Sequence, residues 1–260
     1  MTPAESSVRS RRRVPRWVLG ALVPLALLGL WWLASASGAV AQSQLPSPAS
    51  VFAAGVDLAQ RGELLAHVGI SPQRVLLGFV VGAALGIVLG SLIGLLPIAR
   101  SLLAPTVEGF RAVTGLAWVP LLAIWLGIGE DAKVTLVAIG AFFPVYTTVA
   151  SALRHVDANL IEAGKAFGLQ GVALLTQVRI PAALPAILSG LRLALAQAWL
   201  FVVAAELLAS DIGLGFLLTD SQNNGRTDRM ILAIILLAVI GKLCDSLFAF
   251  FERRALKRWA

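Results

Sequence analysis

Val75-Leu-Leu-Gly-Phe-Val-Val-Gly-Ala-Ala-Leu-Gly-Ile-Val-Leu-Gly-Ser-Leu-Ile-Gly-Leu-Leu-Pro-Ile98 is 24 residues without a single charge. About 20 consecutive apolar residues suffice to cross the hydrocarbon core of a bilayer as a helix. Five glycines, Gly78, Gly82, Gly86, Gly90 and Gly94, recur at every fourth position. On a helix that spacing leaves one smooth face, which a second helix can approach without a Cβ in the way. The stretch therefore predicts a membrane-crossing helix packed on protein along its glycine face. A hinge or sliding surface is the alternative use of the same groove.

The rest of the chain agrees. Of 260 residues, 58% are apolar and 13% charged, with mean hydropathy +0.85. Soluble domains run about 45–50% apolar and about 25% charged, so neither a water-soluble globule nor a disordered chain fits. A net charge of +7 suggests nucleic acid until the charges are located. Five of the 21 basic residues lie within positions 1–16 and four within 252–260. Charge at the ends of an apolar chain encodes membrane topology, not a nucleic-acid surface. The lone cysteine, Cys244, sits inside an apolar run and permits no internal disulfide.

Six segments read as spans: 17–40, 75–98, 115–129, 134–153, 183–209 and 230–251. The third is short and holds Pro120, so it either tilts little or borrows turns from the preceding Val107–Thr114. With the N-terminus inside, the inner pieces 1–16, 99–112, 154–182 and 252–260 carry 14 Lys and Arg, and the outer pieces 41–74, 130–133 and 210–229 carry 5. That bias places both termini in the cytoplasm around one transmembrane domain, 17–251, with basic tails at 1–16 and 252–260. Arg11-Arg12-Arg13, an apolar stretch and Ala39-Val40-Ala41 also mimic a cleaved signal peptide. The length of the stretch and the five spans behind it favour an uncleaved anchor. Ser47 and Pro48 suit the start of an outer amphipathic helix over 51–68.

In the fifth span, Ser189, Arg192, Trp199, Glu206 and Ser210 share one helical face. Ionisable groups in a span are costly and face a cavity or a partner. Two readings stand: Arg192 snorkels and Glu206 bonds to neighbouring helices, or Trp199 and Glu206 line a solute path, with Arg192 the better group to meet an anion. Lys242 and Asp245, three apart, neutralise each other. Gly213-Leu-Gly215 reads as no more than a turn. The longest inner segment, 154–182, predicts a short helix capped by Asp157 or Asn159 and stopped at Gly168. It carries Leu160, Phe167, Val172 and Val178 where a cytosolic loop should be polar, so it calls for a protein groove.

No phosphate-binding loop exists, because Gly241-Lys242 is followed by Leu243. His67 and His155 stand apart from any metal-ligand spacing, and no hydrolase motif occurs. An ion-coupled secondary carrier and a membrane enzyme are the competing classes; the first lacks a visible inverted repeat and the second a catalytic set.

Glu162-Ala163-Gly164, then Gly168 six residues after the Glu, then Ile180-Pro181 twelve further, resembles the EAA loop of bacterial type I ABC-importer permeases. Gly164 stands where the pattern has its second Ala, and Val178-Arg179-Ile180-Pro181 takes the place of I-x-L-P. The likeness extends to Leu45–Pro48, Trp118–Leu121, Trp125–Glu130, Ser189–Arg192 and Ala204–Glu206, which look like the branch importing aliphatic sulfonates, taurine and nitrate. Gly62–Leu64, Phe167–Gly171 and Gly241–Asp245 look closest to aliphatic sulfonate permeases. The resemblance implies an all-α fold of six spans and a homodimer of permeases. It further implies two cytoplasmic ATPase subunits that bind ATP and Mg, and an external solute-binding protein. On this likeness Glu162, Ala163, Gly164 and Gly168 form the contact with the ATPase, and Ile180-Pro181 sets the start of span five. The chain itself would hold no cofactor or metal and sit in the inner membrane.

Overall fold

The computed structural model describes residues 16–38 and 40–259, and every regular element among them is helical. The basic residues before Arg16, and Ala39 of the signal-peptide-like site, lie outside the described residues. The helices are α1 Arg16–Ala36, α2 Pro48–Gln60, α3 Glu63–Leu95, α4 Pro97–Ala112, α5 Trp118–Leu126, α6 Glu130–Arg154, α7 Ala158–Ala166, α8 Gly171–Leu174, α9 Ile180–Ala209, α10 Leu214–Asn223 and α11 Thr227–Trp259. A 3-10 turn, Gly115–Ala117, precedes α5, and a π-helical turn, Leu175–Arg179, runs α8 into α9.

Four stretches among the described residues are long and apolar enough to cross a bilayer: Glu63–Leu95, Glu130–Arg154, Gly171–Leu208 and Thr227–Lys257. Pro97–Ala112 and Gly115–Leu126 qualify only as a pair, bent by 81°. The described apolar part of α1, Leu22–Ala36, is shorter, and the helix stops before Val40.

The core is where α3, α6 and α9 meet, around Val75, Val137, Ala141, Val145, Ala194, Ala198 and Val202. α3 turns its small residues inward and its large ones outward. Gly78, Gly82, Gly86, Gly90 and Gly94 are buried, while Leu77, Val80, Leu85 and Val88 are exposed. A Cβ at Gly78 would sit 2.6 Å from Val137, and one at Gly90 would sit 2.8 Å from the Tyr146 carbonyl. Close backbone approach on one face and aliphatic bulk on the other is the packing that hydrocarbon solvent favours.

The register of those glycines fixes the topology. Gly78 meets Val137, Gly82 Ala141, Gly86 Val145, Gly90 Val149 and Gly94 Leu153, so α3 and α6 run parallel. Arg74 beside Glu130 marks their common start. From Arg74 to Leu95 is 21 residues, about 32 Å of helix, and the chain must return that distance before α6 begins. The bent pair α4–α5 makes the return. Val107 and Phe110 of α4 share an apolar cavity of about 460 Å³ with Val81, Leu85 and Phe142, which lie partway along α3 and α6.

Segment 99–112 is therefore not the inner loop that its charges suggest, and the stretch 115–129 is not a span by itself. Pro97 starts α4 and Pro105 is accommodated inside it. The break comes at Val113, which is extended, and Thr114, which is not helical. Arg100, Glu108 and Arg111 lower the hydropathy of a helix that nevertheless rises beside α6.

Ser47 caps α2 by accepting from the Ser50 N–H at 3.2 Å. The predicted outer helix over 51–68 is divided at Gly62, whose φ of +75° suits glycine. α2 is pinned to α11 through Asp57, which accepts from Arg61 and from Arg229 at 2.9 Å. Partial burial alone would raise the Asp57 carboxyl; hydrogen bonds and charge from Arg61, then Arg229, outweigh it and hold the group below its ordinary value.

Candidate functional site

Where α3, α6 and α9 meet at the α3 N-terminal end, four charged side chains from three helices converge. Arg74 is 1% exposed. Its Nη1 donates to Glu206 Oε1 at 2.7 Å and to the Ile212 carbonyl at 2.7 Å, and its Nε donates to Glu130 Oε2 at 2.7 Å. Nη2 completes a fork onto Glu130 Oε1. Lys133, also buried, donates to the same oxygen at 3.1 Å. Two cations face two carboxylates, so the cluster is neutral.

Glu206 is as closed as its partner. Ser71 donates to its carboxylate at 2.8 Å and the Gly215 N–H at 2.8 Å. Ser71 Oγ in turn accepts from the Leu214 N–H at 3.0 Å, and His67 Nδ1 accepts from the Gly213 N–H at 3.0 Å. The loop after α9 is thus laced to α3 through its backbone. Gly213 and Gly215 are needed for this. Gly213 has φ +135°, and a Cβ on either would run into the Glu206 side chain. The Gly213-Leu-Gly215 turn is a cradle for a buried carboxylate, not simply a turn.

The face predicted on the fifth span does not act as a unit. Glu206 is sealed in this cluster, with its charge matched by Arg74, so it does not stand open on a path in the single chain. Trp199 packs against the core at its margin, near Cys244. Arg192 donates to Asp245 through Nε at 2.6 Å and Nη2 at 2.9 Å, with Glu252 at 3.7 Å, so its charge is already met. Lys242 does reach Asp245, at 3.3 Å, but as the second partner. Ser210 has left the helix: it is extended and donates to the Ile212 carbonyl at 2.6 Å.

Sequence reasoning missed Arg74, Ser71, Lys133 and Glu130. A usable signal was present. Ser71 and Arg74 lie one turn apart just before the apolar run, and Glu130 opens the fourth, at the same predicted depth as Glu206.

At the other end, 154–182 folds into α7, α8 and the π turn. Asp157 is the cap, accepting from the Asn159 N–H at 2.9 Å. Gly168, φ +81°, takes the left-handed position just past the helix end. Glu162, Ala163 and Gly168 are exposed and Pro181 is half-buried, with Ile180 39% exposed. Gly164 differs from the expectation: it is buried, and a Cβ there would lie 2.8 Å from Leu174 and 2.9 Å from Val178. It lets α7 close on α8 and the π turn and is not part of the outer surface. Beside it the apolar side chains stand out, Phe167 87% exposed and Val172 74%.

Comparison with known proteins agrees with this architecture. Residues 82–257 match the family described as the inner membrane component of binding-protein-dependent transport systems. The chain is 38% identical over 241 residues to the aliphatic sulfonates transport permease protein SsuC of Bacillus subtilis, covering 93% of this chain and 87% of the relative. It is also 38% identical over 247 residues to the protein of the same name from Escherichia coli, covering 95% and 92%. Permeases named for taurine and for nitrate are among the further relatives. In fold it is similar to a chain of the inward-facing methionine ABC transporter MetNI, with TM-score 0.57 and 22% identity over 76% of this chain and 94% of that one.

Proposed function

Because the chain belongs to the family of inner membrane components of binding-protein-dependent transport systems, we propose that it forms the passage by which an ATP-driven importer carries aliphatic sulfonates across the inner membrane. It is a transport component whose energy comes from elsewhere. Two copies form the membrane unit, two cytoplasmic ATPase subunits bind ATP and Mg, and an external binding protein delivers the solute. Each copy crosses six times, counting α1 and the bent α4–α5 pair, with both termini in the cytoplasm and basic tails at 1–16 and 252–260.

The observation that carries this reading is the inner surface of 154–182. A membrane protein spends no stability by leaving aliphatic side chains against lipid, but Phe167, just past α7, and Val172, in α8, stand in the connection that follows the Arg154 end of α6. An exposed apolar knob there suits a groove in a partner. Glu162, Ala163 and Gly168 supply that contact, Gly164 sets the angle of α7 behind it, and Ile180-Pro181 starts α9. Closing of the ATPases would then be felt directly by α9, which continues from the loop without a break.

The test is ATP hydrolysis by the chain reconstituted with its ATPase and binding protein, scanned against alkanesulfonates, taurine and nitrate. Stimulation by an alkanesulfonate is expected. Stimulation by taurine or nitrate alone would replace the solute and keep the machinery. Transport by the purified chain without an ATPase would overturn the reading in favour of an ion-coupled carrier.

A further inference from the structure

Most of the arginines that the structure pairs are matched with acids: Arg61 with Asp57, Arg74 with Glu130 and Glu206, Arg192 with Asp245, Arg226 with Asp228 and Arg229 with Asp57. At the α6 C-terminal end the pattern reverses. Arg100, Arg111 and Arg154 line one cleft of about 150 Å³ between α4 and α6, with a single carboxylate, Glu108, among them. None of the four forms an ion pair among the described residues, and the only hydrogen bond is a long one from Arg100 to the Ile93 carbonyl.

Depth makes this unusual. Arg100, Glu108 and Arg111 fall on one face of α4, and Arg111 lies eleven residues beyond Arg100, about 16 Å along the helix. The opposing wall is Tyr146 to Arg154, eight residues of α6, about 12 Å. Val107 and Phe110, either side of Glu108, reach the apolar cavity beside Phe142. The charged face of α4 therefore climbs from the inner surface into the membrane. An unpaired charge at that depth is tolerated only where it meets water, a partner or a ligand. The preference for basic residues at inner ends accounts for Arg154 and Arg100, but not for Arg111 at the upper end of the cleft.

Tyr146 adds an independent sign. The residue is 2% exposed and lines the cleft, and its hydroxyl makes no hydrogen bond to another described residue. Three guanidiniums and a phenol around one small cleft can donate to an incoming group, and Glu108 is the one carboxylate there that would repel an anion. The volume is well below the roughly 300–1,000 Å³ of drug-sized sites, so the ligand is small.

We infer that the α4–α6 cleft binds the head of a small oxyanion with three or more terminal oxygens, sulfonate or phosphate, through Arg100, Arg111, Arg154 and Tyr146. It is a second anion-handling station on the inner half of the passage, separate from the neutral cluster at Arg74. The solute's identity rests on the importer reading; the site does not. A transported sulfonate and the headgroup of an anionic lipid share the chemistry, and the experiment separates them.

The chain is assembled with its ATPase in nanodiscs of phosphatidylcholine alone and titrated with ethanesulfonate. Saturable binding is expected. It should weaken about tenfold or more in Arg111→Gln with Arg154→Gln, the scale of a lost charge-assisted hydrogen bond. It should be largely kept in Arg111→Lys and strengthened in Glu108→Gln, which removes the one repelling charge. A second arm adds phosphatidylglycerol and follows its retention by native mass spectrometry. Lipid kept by the parent and lost from the double glutamine variant, with no ethanesulfonate titration, would assign the site to a headgroup. Ligand and lipid retention equal in the parent, the double glutamine variant and Glu108→Gln would overturn the inference. Hydrolysis stimulated by loaded binding protein is measured on the same samples. If it persists while the cleft variants bind like the parent, the cleft fails and the importer stands; if it is absent for every solute, the importer reading fails while the binding arms still judge the cleft.

Discussion

Arginine is used in opposite ways at the two ends of the helix bundle. At the Arg74 end each guanidinium nitrogen meets a carboxylate or a carbonyl, the carboxylates are shared with Lys133 and Ser71, and the charges cancel. At the Arg154 end three guanidiniums face a cleft with one carboxylate and make no ion pair. Burying a matched pair is roughly neutral in stability but very costly to break halfway, because the survivor is left charged in a low-dielectric site. Such a cluster holds three helices in one relative position. An unmatched set stabilises nothing while empty, and gains only when an anion arrives. Rigidity and function are thereby allotted to different ends.

The comparison breaks most readily at Glu206. Glu206→Ala removes one acceptor of a guanidinium that is 1% exposed and should destabilise by about 3–5 kcal/mol, read as a shift in the denaturant midpoint of the reconstituted protein. Adding Arg74→Met should recover part of that loss. If Glu206→Ala stays within about 1 kcal/mol of the parent, the cluster is not a clasp.

Gly213→Val sharpens the same point from the backbone side. It places a β-branched residue at φ +135° against the Glu206 carboxylate, and about 1–3 kcal/mol should be lost. The same assay checks it, and an unchanged midpoint would show that the cradle relaxes freely. Gly168→Val tests the opposite end. Its left-handed φ of +81° costs a β-branched residue about 1–2 kcal/mol, but nothing lies within 4 Å of the added carbon. The larger change should be functional: ATP hydrolysis continues while solute transported per ATP falls. Normal coupling in that variant would remove 154–182 from the ATPase contact.

The smallest effect belongs to Asp57. Its folded pKa is lowered, so the stabilisation is present above the ordinary carboxylate range and is lost as pH falls through it, below about pH 4. Hydrogen exchange along α2 should rise there, and Arg229→Gln should shift that rise to higher pH. Because the Asp57 side chain is 38% exposed, a change much above noise would mean that the α2–α11 contact matters more than its geometry suggests.

The legible parts were those set by one-dimensional periodicity and by the solvent. Long apolar runs announced α3, α6, α9 and α11; the glycine repeat announced which face of α3 is covered, and Ser47-Pro48 where α2 begins. The misread parts all involve a partner distant in sequence. Glu206 looked like a candidate for a solute path because Arg74, 132 residues away, is invisible from its own helix. Arg192 looked free to meet an anion for the same reason, its partner being 53 residues on. Arg111 was counted with the inner loops because prolines and charges lowered the hydropathy of α4, although the helix runs on through Pro105.

The sequence by itself determined that the chain lives in a bilayer and which face of α3 is covered, since each depends on local composition or spacing. Only the tertiary structure decided which charges are matched and which stand open. Pairing energy depends on a few ångströms and on burial, and both are set by the parallel register of α3 with α6 and the fold of α4 between them.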